Sequence, residues 1–136
     1  MQFTDEQNLL RDSVARFIDD EYEFSRRQKI VAAEPGFSRA HWQRMAALGW
    51  LGAALPESHG GLGGGAAEMA IVMEQFGRRL VTSPYLVSVV MSGSALSAAG
   101  GEAQKSHWLP AIAEGRILAF AEGEAAARHD PAFVSR

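Results

Sequence analysis

The residues whose types and spacing could do chemistry fall in three groups. The first is the run Gly60-Gly61-Leu62-Gly63-Gly64-Gly65, which invites comparison with loops that cradle phosphate on backbone amides. A P-loop requires Lys-Ser/Thr after its last glycine, and here Ala66-Ala67-Glu68 follows. The dinucleotide fingerprint requires a preceding strand and a βαβ unit, and neither is evident. The favoured reading is a close-packed turn, where backbone needs positive φ or room beside a neighbour. The second group is His41, His59, His107 and His129, which show no i, i+4 pairing or other ligand spacing. Most are expected at the surface, and no metal site is predicted. The third group is the carboxylates. Glu122 and Glu124 on a possible strand would share one face, which suits acid–base work or equally a strand edge leaving the domain. Helical Glu68 and Glu74 have no evident basic or nucleophilic partner. With no cysteine in the chain, thiolate chemistry and disulfides are excluded. From residue types alone, no complete catalytic constellation is visible.

The elements that would position these groups are almost all helical. Thr4-Asp5-Glu6-Gln7 is a capping box opening a helix from about Asp5 to the Asp19–Glu21 region, with Leu10, Val14, Phe17 and Ile18 on one face. Ser25-Arg26-Arg27-Gln28 repeats the capping signature and predicts a second short helix to about Ala33, closed by Pro35-Gly36. Ser38 caps a third, with Trp42, Met45 and Ala46 buried, Gly49 left-handed past its end and Trp50 folding back onto Met45. Leu51 to Gly65 carries Pro56 and six glycines and reads as loop. Met69, Val72, Met73, Phe76 and Leu80 predict an amphipathic helix over Ala66–Leu80. Ser83-Pro84 opens a helix to about Ala99 that is apolar on most sides and is expected to be central. Glu102–Ala113 follows, with Trp108, Leu109 and Ile112 inward and Pro110 expected to bend or restart it. Arg116–Ala121 is a short strand candidate, and a lone strand forms no sheet.

Composition narrows the class. The chain has 136 residues, 13 Lys+Arg against 16 Asp+Glu, a formal charge of −3 and a 47% apolar share. That suits one globular domain and argues against both disorder and a nucleic-acid platform, which needs a basic face. No apolar run reaches the roughly 20 residues of a membrane span, and no signal peptide is visible. A soluble, cytoplasmic chain is expected.

The order of motifs resembles the opening of the acyl-CoA dehydrogenases. Phe3-Thr4-Asp5-Glu6-Gln7…Leu10-Arg11 is followed by Trp42…Leu48-Gly49-Trp50-Leu51-Gly52 and Leu55-Pro56-Glu57…Gly60-Gly61-Leu62-Gly63. Then come Val72-Met73-Glu74-Gln75-Phe76-Gly77-Arg78, Gly101-Glu102-Ala103-Gln104-Lys105 and Trp108-Leu109-Pro110…Ala113-Glu114-Gly115. The likeness runs from about Phe3 to Asp130. Tyr22-Glu23-Phe24…Arg26-Arg27, Gly63-Gly64-Gly65 and Leu118-Ala119-Phe120-Ala121 are most similar to the small-subunit branch, of the pimeloyl-CoA dehydrogenase type.

The resemblance implies an all-α fold: the helical N-terminal domain of this family, about six helices over 1–115, with 116–136 starting a β domain by its first strand. It implies FAD as cofactor and an acyl-CoA thioester as substrate, in fatty-acid metabolism. A carboxylate base takes the α-proton while a hydride passes from the β-carbon to the flavin. The base comes from a later part of the family's chain, so no catalytic residue is carried over here. Phe120, Glu122 and Gly123 match the flavin-contacting positions, although Gly123 offers no hydroxyl. His129 falls where a serine approaches flavin or pantetheine. Val87, Val90 and Met91 match the helix face toward the acyl tail, with plain core as the alternative. An apolar chain suits such a wall, each buried methylene contributing about 0.8 kcal/mol. The expected partners are other dehydrogenase subunits, in a homo- or hetero-oligomer. The rival expectation is a non-catalytic helical module that assembles with a full-length dehydrogenase.

Overall fold

A computed structural model describes residues 2–121, 123, 124, 126, 127, 130 and 133. Its helices are α1 (Asp5–Glu21), α2 (Phe24–Ala32), α3 (Arg39–Ala47), α4 (Ala66–Arg78), α5 (Ser94–Ala99) and α6 (Glu102–Ala113). A π-helix over Leu86–Gly93 runs directly into α5, and a 3-10 turn occupies Glu57–His59. Among the described residues there is no strand.

Three of the local signals are realised. Thr4 Oγ1 accepts the Gln7 amide at 3.2 Å while Gln7 Oε1 accepts the Thr4 amide at 3.1 Å, closing the capping box of α1. Ser38 Oγ accepts the His41 amide at 3.2 Å at the start of α3. Gly49 sits at φ +80°, and the Trp50 amide reaches the Met45 carbonyl at 3.1 Å. Val14, Phe17 and Ile18 of α1, which packs along α4, join Trp42, Met45, Trp50, Val72, Phe76, Leu109 and Ile112 in one core.

Several expectations are corrected. The cap of α2 is Glu23 rather than Ser25, because the Glu23 carboxylate takes both the Ser25 amide (3.1 Å) and the Ser25 hydroxyl (2.6 Å). α4 stops at Arg78, short of Leu80, which adopts φ +51° with its carbonyl held by Arg27 Nε at 2.7 Å. The helix from Pro84 is one-sided rather than central. Tyr85, Ser88, Val89, Ser92 and Gly93 are buried, whereas Leu86 and Val87 are 49% and 38% exposed. Its first turns are π-wound, with Ser92 Oγ donating to the Val87 carbonyl five residues back at 2.8 Å. Trp108 is only half-buried, and Pro110 lies inside α6 without ending it. The 116–121 candidate strand finds no ladder partner among the described residues, since no second strand lies beside it.

Candidate functional site

The glycine run is closed. The amides of Gly60, Gly61, Leu62, Gly63 and Gly64 donate to the carbonyls of Glu57 (3.2 Å), Pro56 (3.0 Å), Gly52 (2.9 Å), Leu55 (2.9 Å) and Ala53 (3.0 Å). The Gly65 amide donates to Glu68 Oε2 at 2.6 Å. No amide is left for a phosphate. The run is a turn packed against its own preceding chain: a Cβ at Gly61 would overlap the Leu55 carbonyl, and one at Gly64 the Ala53 carbonyl.

Two of the three described histidines are held inside the fold. His41 is half-buried between the rings of Phe17 (5.5 Å) and Tyr22 (5.1 Å), with Nε2 3.5 Å from Glu21 Oε2. Burial lowers its pKa against the opposing pull of Glu21. The same burial, assisted by Glu21, pushes Tyr22 up to about 12. His59 is also half-buried, bonded to Glu102 Oε1 and Ser58 Oγ, both at 2.9 Å. These two therefore depart from the surface placement expected of most histidines, while His107 is exposed, edge-on to Trp108 at 4.7 Å. Among the described residues no cluster of three metal-ligating side chains occurs. Glu68 is engaged by Gln7 Nε2 (2.8 Å) and the Gly65 amide, which hold its pKa below the usual carboxylate range. Glu74 is exposed.

A separate surface feature lies along α5 and α6. An apolar depression of about 360 Å³ opens between α5, α6 and the chain leaving α6. Leu96, Ala99, Trp108, Leu118 and Phe120 form its walls together with Ser92, and among the described residues no ionisable side chain lines it. Its volume falls within the range of small-ligand sites. The exit segment is anchored at its start. Trp42 Nε1, buried, donates to the Gly115 carbonyl at 2.8 Å, and the Arg116 amide reaches the Ala111 carbonyl at 2.8 Å. Ser88 Oγ then accepts the Leu118 amide at 2.7 Å and donates to the Arg116 carbonyl at 3.4 Å. Beyond Leu118, no hydrogen bond among the described residues takes up the amides of Ala119, Phe120 or Ala121.

Of the residues singled out in the sequence, Phe120 lies in the depression wall at 38% exposure. Gly123 stands in open space, with nothing within 4 Å of where a Cβ would be. Glu122 and His129 lie outside the described residues. Val87 is exposed, and Val90 and Met91 are half-buried on the π-helix. None of these three lines the depression, which draws on Ser92, Leu96 and Ala99 further along the same helix. Ser88 and Trp42 as anchors of the exit segment were not foreseen. Their partners lie 28 to 30 and 73 residues away, and no local pattern announces such bonds.

Residues 4–116 match the acyl-CoA dehydrogenase N-terminal domain family. The chain belongs to the acyl-CoA dehydrogenase family and has the fold of its helical N-terminal domain. It is 39% identical over 84 residues to the acyl-CoA dehydrogenase FadE12 of Mycobacterium tuberculosis, covering 59% of this chain and 21% of that one. It is 30% identical over 133 residues to the acryloyl-CoA reductase (NADH) of Anaerotignum propionicum, covering 96% of this chain and 33% of that one. The ChsE4-ChsE5 complex of Mycobacterium tuberculosis superposes with a TM-score of 0.82 at 31% identity, covering 92% of this chain and 35% of the solved one. The chain thus spans about a fifth to a third of these relatives. No helix among the described residues is long and apolar enough to cross a membrane.

Proposed function

We propose that this chain supplies the N-terminal helical part of an FAD-dependent enzyme that dehydrogenates acyl-CoA thioesters between the α and β carbons. The observation that carries the reading is the exit segment. In a member of this family, three adjacent amides without hydrogen-bond partners among the described residues (Ala119, Phe120 and Ala121) follow the anchored Leu118, and Ala119 and Phe120 line an apolar depression. These residues fit a flavin ring edge. The amides offer donors to its carbonyls, Phe120 offers an apolar surface, and open Gly123 permits close backbone approach. Bound FAD would supply the hydride acceptor for the β-carbon hydrogen. The chain's own part is to bind and to exclude water. Leu96, Trp108 and Leu118 enclose the apolar tail, with Val87, Val90 and Met91 proposed as the wall beyond.

No carboxylate lines the depression among the described residues, and the proton acceptor for the α-carbon is proposed to come from protein beyond this chain, as the family resemblance implies. Alone, the chain is expected to be inactive. In this reading 1–115 is the helical domain, 116–136 begins the β domain, and further dehydrogenase chains complete the assembly.

Native mass spectrometry of the complex from its source, recording chain masses and bound FAD together, tests this. An assembly or longer chain loaded with flavin is expected. The chain in flavin-free form would instead support a non-catalytic module, a reading favoured by Gly123, which lacks a hydroxyl at a matched flavin position. A second test concerns the tail wall. Met91→Trp is expected to shift the acyl-length preference of the complete enzyme toward shorter chains, and an unchanged profile would assign Met91 to plain packing.

A further inference from the structure

We propose that Ser88 is the positioning residue of the exit segment, its hydroxyl setting where the Ala119–Ala121 amides and the Phe120 ring meet the flavin; this rests on the flavin reading above. Ser88 is fully buried, yet its hydroxyl is engaged on both sides. It accepts the Leu118 amide at 2.7 Å and donates to the Arg116 carbonyl at 3.4 Å. Accepting from one residue and donating to the residue two before it is what the backbone of a parallel neighbouring strand does across a ladder. One hydroxyl, carried on the π-wound turn, therefore replaces a missing strand and brackets Ile117. Leu118 is the last residue of the segment held in this way before the open amides, so any slack at Ser88 is passed directly to Phe120, two residues on. The same π-wound stretch carries Val87 and Met91, so the acyl wall and the exit segment share one rigid support.

The test uses the flavin-loaded assembly containing this chain. Ser88→Ala is compared with Val14→Ala, a core truncation in α1 away from the exit segment. FAD dissociation constant, flavin absorption bands, amide hydrogen exchange at 117–121 and melting temperature are read for each. Ser88→Ala is expected to accelerate exchange at 117–121, shift the flavin bands and raise the FAD dissociation constant about tenfold. Val14→Ala should lower the melting temperature and leave the other three unchanged. If Ser88→Ala fails to assemble, near-isosteric Ser88→Cys, a weaker hydrogen-bonding partner, is read in the same way. Equal loss of FAD affinity in Ser88 and Val14 variants of equal melting temperature would overturn the proposal, as would a Ser88→Ala assembly with unaltered FAD affinity. An unaltered exchange pattern would also overturn it. A wild-type assembly without FAD would remove the flavin reading itself, and is recognised from the wild type alone.

Discussion

The glycine run 60–65 and the exit segment 116–121 are both irregular backbone, and they satisfy that backbone in opposite ways. In the glycine run all six amides are bonded inside the fold, and the missing Cβ atoms make room for that closure. In the exit segment the first residues are pinned by Ala111, Trp42 and Ser88, and the amides that follow are left open beside an apolar depression. The comparison teaches that glycine content marks tight packing here, whereas the amides without protein partners lie on the exposed exit segment.

The contrast can be broken most sharply from the closed side. Gly61→Ala drives a methyl into the Leu55 carbonyl and is expected to cost about 3 kcal/mol, read as a lowered denaturant midpoint. A variant as stable as the parent would mean the loop is not packed as described. Trp42→Phe lies on the boundary between the two regions. It leaves the Gly115 carbonyl buried without its partner and should cost about 2 kcal/mol by the same measurement. Phe120→Asp probes the open side. Stability should stay within about 0.5 kcal/mol, because the ring is 38% exposed, while FAD occupancy of the assembled enzyme falls. Unchanged occupancy would detach Phe120 from the cofactor.

The smallest effect is expected from acid. The folded protein holds Glu68 below its unfolded pKa, so its contribution is complete above the ordinary carboxylate value. It is lost as pH falls from there through the lowered folded value. Glu68 is half-buried with water still reaching its carboxylate, and the loss should be under about 1 kcal/mol. Glu68→Gln should remove that part of the pH dependence of unfolding, and an unaltered acid profile would show that the bonds from Gln7 and Gly65 contribute nothing.

The sequence made the helix starts at Thr4 and Ser38 and the reversal at Gly49 legible, because each is decided by groups within five residues. The same rule misread Ser25, since the charged Glu23 carboxylate, two residues earlier, takes both the Ser25 amide and the Ser25 hydroxyl that would have capped the helix. The helix after Pro84 was misjudged for a different reason. Its apolar content is high, yet the buried face sets the small Ser88, Ser92 and Gly93 beside Tyr85 and Val89, with Leu86 and Val87 turned outward. Small residues let Leu55 approach Gly93, a matter of tertiary fit with no periodic signature. Of the candidate site, Phe120 was reached through family likeness. Leu96 and Trp108 were seen only as helix residues, because a depression between three segments exists nowhere in the linear order.

The distribution of the indoles has an optical consequence. Of the three tryptophans, Trp42 and Trp50 are sealed in the core, whereas Trp108 forms a wall of the depression. Emission from the first two follows unfolding, and that from Trp108 responds to whatever enters beside Leu96 and Phe120. A chain with Trp42 and Trp50 replaced by phenylalanine, if it remains folded, would carry a single fluorophore at the depression, so that arrival of an acyl chain or a neighbouring subunit could be followed by light alone.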